Sequence, residues 1–423
     1  MRILILSTFD TFGGAAIAGM RLHKALSKKG EKSIMLVQEK KSKEQNVIGI
    51  AHTWLDKKFA LLRFALDRLQ FSFYEKNKDA RFIFSQATIG KDISSNELLS
   101  EADVIHIHWI NFGFLSISSL QKIISIGKPI VVTMHDMWFF TGGCHYSKDC
   151  VHYKNQCGNC FPYLKNPSEK DLSHESWLKK FSILCDASIT FVACSEWLAG
   201  IAKTSSLLKN KNVLAIPNPI DTIAFQNTEK SIAQKQFNLS PDKIYILFAA
   251  MKVTDERKGF VFFKQALEQL LVLHPDIQNN VELLIFGQED TSQFDSIPFK
   301  VTSLGRLTDV TTIAKAYAAA NVFVIPSLED NLPNTVMEAM SCGTPVVGFN
   351  TGGIPEMVDH QKTGYIAAYK SSEDLAKGIY WTLFESDYKK LCSQSREKVL
   401  ANYSEAIIAN RYMQVYQSAI DDK

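Results

Sequence analysis

Asp330 and Glu338 are two acids with seven residues between them, set in NVFVIPSLEDNLPNTVMEAMSCGTPVVGFNTGGIPEMV, residues 321–358. Val322 to Ile325 is an apolar, mostly β-branched run that Pro326 ends. Pro333 opens a helical turn that Gly343 and Pro345 stop, and Val346 and Val347 begin another buried strand. A strand, loop and helix in this order turn backbone amides and the positive end of a helix dipole, around Asn334 and Thr335, toward an anion over the loop. A diphosphate suits that end. Glu338 lies one turn along the helix from Asn334, where its carboxylate can accept hydrogen bonds from the hydroxyls of an attached ribose. Asp330, in the loop, can reach a sugar on the other side. The plain alternative is a βα unit of any parallel sheet with its acids merely solvated.

Other segments carry groups that fit the same chemistry. AAMKVTDERKGF, residues 249–260, follows an apolar strand and holds Lys252, Arg257, Lys258 and Gly259. Fixed cations stabilise the negative charge that builds on a departing diphosphate, although a solvated basic turn has the same composition. KPIVVTMHDMWFFTGGCHY, residues 128–146, places His135 and Asp136 at the end of a buried strand, where a neutral imidazole can bond a hydroxyl. ADVIHIHWINFGFLS, residues 102–116, sets His108, Trp109 and Asn111 just past another strand, as a binding edge or as packed strand-end aromatics. Near the start, FDTFGGAAIAGMRLHKALSKKG puts Gly13 and Gly14 between a strand and a helix; paired glycines let a ligand approach the backbone, without a full G-x-G-x-x-G pattern. Ser195 in ACSEWLAG reads as a helix cap.

Together these segments resemble the family-4 retaining glycosyltransferases of the GT-B fold, in which two acids with seven residues between them bind an activated sugar nucleotide. The resemblance spans nearly the whole chain. It is strongest from Val322 to Gly364 and from Val104 to Cys160, and weakest from Ala51 to Leu99. It implies a ribose-anchoring role for Glu338 and a phosphate-binding role for Lys258 of KGF. Lys252 stands nearest the place of a second cation, commonly arginine, and lysine lacks the bidentate fork of a guanidinium. Asp330 would face the transferred sugar, in a position where the family usually has glutamate. Gly13 and Gly14 would meet donor phosphates or acceptor, His135 the sugar, and His108, Trp109 and Asn111 the acceptor. Catalysis would then rest on His135, Lys258 and Asp330. Such enzymes are thought to react on one face of the sugar, the leaving phosphate helping to deprotonate the acceptor, with no second carboxylate and no cofactor required.

The resemblance thus implies transfer of a hexose from a nucleotide sugar to a saccharide or lipid-linked saccharide, in bacterial surface-polysaccharide assembly. Two other classes fit the same residues: a nucleotide-sugar epimerase on this fold, and a non-catalytic sugar-nucleotide-binding protein. The two-acid signature with KGF favours transfer.

Length and composition are those expected of a soluble globular protein of two domains. The chain has 423 residues, 46% of them hydrophobic and 22% charged, and a formal charge of +3 that is too small to suggest nucleic acid. MRILILSTFD reads as a first strand, not a signal peptide, and no apolar run approaches the roughly 18 residues of a membrane span, so the expected location is cytoplasmic. Strands are expected at Arg2 to Ser7, Ser33 to Gln38, Val104 to Ile107, Ile130 to Thr133, Ser188 to Val192 and Val213 to Ile216. IPNPID, residues 216–221, then reads as a linker. The rhythm restarts at Tyr245 to Ala249, Glu282 to Phe286, Lys300 to Ser303, Val322 to Ile325 and Val346 to Phe349. The expectation is an α/β chain with two doubly wound Rossmann-like domains facing a cleft: an acceptor domain over residues 1–216 and a nucleotide-sugar domain over 217–403, with a helix near 404–423 that the resemblance would pack back on the first.

Two features stand apart. Cys144, Cys150, Cys157 and Cys160 are spaced C-x5-C-x6-C-x2-C, which could hold a structural zinc, although only the last pair has a common zinc spacing; free thiols or disulfides are the alternatives. Leu55, Phe59, Leu62, Leu66, Leu69 and Phe73 recur at steps of four and three with Lys57, Lys58, Arg63 and Arg68 among them. Such a basic amphipathic helix can lie on the cytoplasmic face of an anionic membrane, pack on the first domain, or meet a second copy.

Overall fold

The computed structural model describes residues 1–249, 255–287 and 292–423. The chain separates into two compact units: Met1–Pro219 joined by Ile408–Lys423, and Ile220–Ile407. The first division falls inside IPNPID.

The first unit is a parallel sheet of β1 (Arg2–Ser7), β2 (Lys32–Val37), β3 (Val47–Gly49), β4 (Val104–Ile107), β5 (Ile130–Met134), β6 (Ile189–Ala193) and β7 (Asn212–Ala215). Their order is β3-β2-β1-β4-β5-β6-β7. Successive side chains of a strand point to opposite faces, so Leu4, Leu6, Ile105 and Ile107 enter one core while Ile3, Ile5 and Val104 enter the other. Both faces are covered, which is why these strands read as continuous apolar runs.

The second of those cores is closed by the final helix, Glu405–Asp421. Ile408, Ala409, Tyr412, Val415 and Tyr416 form its apolar stripe and pack among Ile3, Ile5 and Val131. Two of its hydroxyls satisfy polar groups inside the sheet. Tyr416 Oη lies 2.7 Å from His106 Nδ1, Tyr412 Oη lies 2.8 Å from Thr133 Oγ1, and His106 Nε2 is 2.7 Å from the same Thr133 oxygen.

The second unit repeats the winding with β8 (Ile244–Ala249), β9 (Val281–Phe286), β10 (Lys300–Ser303), β11 (Val322–Ile325), β12 (Val346–Phe349) and β13 (Gly364–Ala367), in the order β10-β9-β8-β11-β12-β13. Its core joins Ile246, Leu283, Val324, Val347 and Phe349. In each sheet the strand order reverses once, between β1 and β4 and between β8 and β11. The crevice at the carboxyl ends of those strands is where open α/β sheets take ligands. β3 and β13 fall outside the sequence expectation because β3 has only three residues and β13 opens on a glycine, which weakens the apolar run of a strand.

Among the described residues no helix is long and apolar enough to cross a membrane.

Candidate functional site

In the second unit the loops after β8 and β11 meet. Gly259 has a left-handed φ of 63°, and a Cβ there would fall 1.8 Å from the carbonyl oxygen of Pro326. Only glycine lets the two backbones touch so closely. The Leu328 N–H donates to the carbonyl of Arg257 at 2.7 Å, completing the contact. The neighbouring Lys258 is thereby delivered to Asp330: its ammonium lies 2.9 Å from Oδ2, which also accepts from Ser327 Oγ at 3.4 Å. Gly352 of TGGIPE plays a matching part. Its φ is 57°, a Cβ would lie 1.7 Å from the Asp330 carbonyl, and the next amide, Gly353 N–H, donates to that carbonyl at 3.2 Å.

Asn334 and Thr335 form the first turn of the helix Asn334–Ser341, and Glu338 lies one turn further along. The Glu338 side chain is almost buried, and Tyr317 Oη donates to its Oε2 at 3.2 Å. Tyr317 is wedged edge-on between Phe286 and Phe323, so this carboxylate sits on a rigid support.

In the first unit the loops after β1 and β4 are likewise tied. Thr8 N–H donates to Trp109 O at 2.7 Å, and Thr8 Oγ1 to Asn111 O at 2.9 Å. Beside them His108 Nδ1 lies 2.8 Å from His135 Nε2, and His135 Nδ1 is 3.4 Å from Cys194 Sγ. Burial lowers the His135 imidazole to about 4 despite the pull of Asp136, and it drives His108 well below its usual value. Both rings are neutral near pH 7. Asp136 gathers three donors: Trp109 Nε1–H at 2.9 Å, Trp138 N–H at 2.8 Å and His145 Nδ1 at 2.6 Å. Burial by itself would raise this carboxyl, but the charge and hydrogen bond of His145, with the other two donors, hold it below its ordinary value.

A family model described as "Glycosyltransferase Family 4" matches residues 12–223, just over half of the chain, and one described as "Glycosyl transferases group 1" matches residues 243–384. The chain belongs to glycosyltransferase family 4. An uncharacterized glycosyltransferase of Methanocaldococcus jannaschii is 23% identical over 79% of this chain and 89% of its own. Sucrose-phosphate synthase from Thermosynechococcus elongatus aligns over the whole of both chains with a TM-score of 0.67 at 18% identity. An Anabaena protein solved with UDP-glucose aligns over 99% of this chain and all of its own with a TM-score of 0.65 at 14% identity. These likenesses make the fold GT-B.

The residues singled out in this glycosyltransferase sequence divide between the units. Lys258, Asp330, Asn334, Thr335 and Glu338 collect at the β8–β11 switch point, whereas Gly13, Gly14, His108, Trp109, Asn111 and His135 lie in the first unit. Gly13 has a φ of 88° and precedes the helix Gly14–Lys28. Lys252 lies outside the described residues. The ring nitrogens of His135 are both engaged, by His108 and Cys194, so its orientation is set within the first unit.

Asp136 and Asp10 are functional candidates that the sequence left unassigned. Asp10 Oδ2 accepts the N–H groups of Lys41 and Ser42 at 2.9 and 2.7 Å, while Oδ1, though buried, finds no partner among the described residues. Gln38 Oε1, His108 Nε2 and Asn111 Oδ1 are in the same condition. All four follow β1, β2 or β4, so the carboxyl edge of this sheet offers polar atoms suited to sugar hydroxyls. An acid inside the FDTFGG loop was the available signal.

Among the described residues no group of three His, Cys, Asp or Glu is placed to hold a metal ion. The four cysteines lie near enough to act on one another: burial first, and then the charges of Cys160, Cys157 and Cys150, push the Cys144 thiol well above its ordinary value, while Cys160 and Cys144 pack among Phe71, Phe84 and Tyr163 and Cys157 accepts the Gly142 N–H at 3.1 Å. Burial pushes the thiols of Cys157 and Cys160 up to about 12. The loop's anchor is Lys180, whose buried ammonium donates to the carbonyls of Trp138 and Thr141 and lies 3.8 Å from the Trp138 ring centroid; burial lowers it to about 7.

Proposed function

We propose that this glycosyltransferase moves a hexose from a nucleotide sugar to a saccharide or lipid-linked saccharide, with retention, in bacterial surface-polysaccharide assembly at the cytoplasmic face of the membrane. The observation that carries the donor half is the convergence of Lys258 and Asp330 at a switch point, with a rigidly held Glu338 in the helix that follows that loop. In this reading Lys258 stabilises charge on the departing diphosphate, Glu338 accepts the ribose hydroxyls, and Asp330 faces the hexose. UDP-glucose in the Anabaena structure of like fold makes UDP-hexoses the first donors to try. His135, neutral and fixed, faces the sugar, and the polar edge at Asp10, Gln38, His108 and Asn111 takes the acceptor. The leaving phosphate receives the acceptor proton as the new bond forms on the same face. No cofactor is needed in this scheme.

Incubating the protein with a panel of nucleotide sugars, without acceptor, tests it. Slow release of nucleotide and free sugar is the expected result, and product NMR with a competent acceptor should show the donor's anomeric configuration kept. Interconversion of two nucleotide sugars would instead mark an epimerase, and inert binding a non-catalytic protein. Glu338→Ala should weaken binding of the bare nucleotide about 10- to 100-fold, the range of a lost hydrogen bond to a charged group.

A further inference from the structure

The helix Trp54–Ser72 is mounted the wrong way round for a soluble protein. Its inward face carries Ala60, Asp67, Arg68 and Phe71, all at most 5% exposed, and Arg68 donates to the carbonyl of Phe84 at 3.0 Å while pairing with Asp67. Its outward face carries Leu55, Phe59, Leu62, Leu66, Leu69 and Phe73, each between 42% and 64% exposed. The apolar stripe therefore does not cover the first unit, contrary to one of the sequence readings. Exposing six large apolar side chains in one row is unfavourable unless something apolar meets them.

Charge identifies what does. Of the charged residues from Trp54 to Phe82, those that are exposed are four lysines, Lys57, Lys58, Lys76 and Lys78, against one acid, Asp79, while Arg68 and Asp67 pair on the inward side. Lys58 lies 5.3 Å over the ring of Trp54, itself 69% exposed, at the start of the helix. An apolar row with aromatic ends, edged by lysines, matches a layer whose interior is hydrocarbon and whose surface is anionic. A second copy fits less well, because a symmetric pairing would bring two like-charged patches together.

We propose that this helix docks the protein on the surface of an anionic lipid bilayer, with the Leu55 to Phe73 row inserted at headgroup level. The inward face then has its own purpose. Arg63 Nε donates to Gly113 O at 3.0 Å, Phe64 meets Phe112 edge-on at 5.8 Å, and the Arg68 guanidinium stacks 4.6 Å from the Phe112 ring. A Cβ on Gly113 would fall 2.7 Å from the backbone nitrogen of Phe64. The docking helix is thus clamped to the loop that carries Trp109 and Asn111, so a saccharide borne on a lipid arrives beside that loop; this last step rests on the transferase reading above, whereas the docking does not.

Flotation of the full chain with vesicles tests the docking without any sugar. Binding is expected to vesicles of phosphatidylcholine and phosphatidylglycerol in equal parts and to fall about tenfold or more with phosphatidylcholine alone. Phe59→Ser with Leu62→Ser and Leu66→Ser should abolish it while leaving the melting temperature unchanged, since those side chains are exposed. Lys57→Gln with Lys58→Gln should weaken it about thirtyfold, each lysine near an anionic surface being worth roughly a factor of five. Failure of the parent chain to float with either vesicle would overturn the proposal. So would a dimer in sedimentation that the serine variant dissociates, which would assign the row to a second copy. Nucleotide release measured in parallel separates loss of docking from failure of the transferase reading.

Discussion

The ammonium of Lys258 and the carboxylate of Asp330 lie 2.9 Å apart, on loops that leave neighbouring strands of the second sheet. Each holds the other's charge in place over the crevice, so the cation meant for phosphate and the acid meant for sugar form one unit. Lys258→Ala should lower kcat about 10²–10³-fold, the usual cost of removing a donor aimed at developing charge. Asp330→Ala should abolish transfer, and Asp330→Glu, which restores the family's common residue, should change the preferred sugar. Rates across a donor panel decide this. An unchanged rate and preference in both Asp330 variants would remove that residue from the mechanism.

The close approach of the two loops depends on glycine. Gly259→Ala and Gly352→Ala each combine a positive φ with a Cβ less than 2 Å from a backbone oxygen. Strained backbone of this kind costs roughly 1–3 kcal/mol, before the clash is added. Both variants should lower the melting temperature and lose nucleotide binding together. A variant that kept its melting temperature and full binding would show that the loops separate freely.

Three buried imidazoles make stability depend on pH. Burial lowers His106 to about 3 and His135 to about 4, and takes His108 well below its ordinary value. Above about pH 6.5 these rings are neutral in both folded and unfolded chains and contribute no pH dependence. As pH falls below that value the unfolded chain binds protons that the folded chain refuses, so stability declines progressively toward pH 4. Urea unfolding between pH 7 and pH 4.5 should show it. Activity, by contrast, should carry no inflection near pH 6.5 from His135; one that vanished in a His135 variant would contradict its neutral form.

Tyr416 ties the final helix to His106 of β4. Tyr416→Phe removes the hydroxyl 2.7 Å from His106 Nδ1 and leaves a buried imidazole nitrogen without that partner. A loss of about 1–3 kcal/mol is expected. Tyr412→Phe should act similarly through Thr133, and because the two hydroxyls share one network the double variant should depart from additivity. Chemical denaturation of the three variants measures it.

Much was legible because it is local. Parallel strands buried on both faces are continuous apolar runs, so β1, β4, β11 and β12 could be read nearly to the residue. The acids at 330 and 338 and the KGF turn announce themselves by spacing, and Pro333 marks its helix start. β3 was hidden by its three-residue length and β13 by the glycine that opens it, and Asp10 and Asp136 by being single acids whose partners lie elsewhere in the chain.

Sequence alone determined the elements, the two windings and the family, since each depends on neighbours along the chain: apolar period, turn residues and motif spacing. Tertiary structure decided what depends on residues far apart in the chain. It set Lys258 against Asp330 across 72 positions and closed one core of the first unit with a helix that follows the second unit in sequence. It turned the polar side of the Trp54–Ser72 helix inward, because Arg63 and Arg68 found their partners at Gly113, Phe112 and Phe84. It also brought Cys144, Cys150, Cys157 and Cys160 near enough to act on one another electrostatically. Periodicity can say that a helix has two unlike faces; only the partners waiting on the sheet say which one is buried.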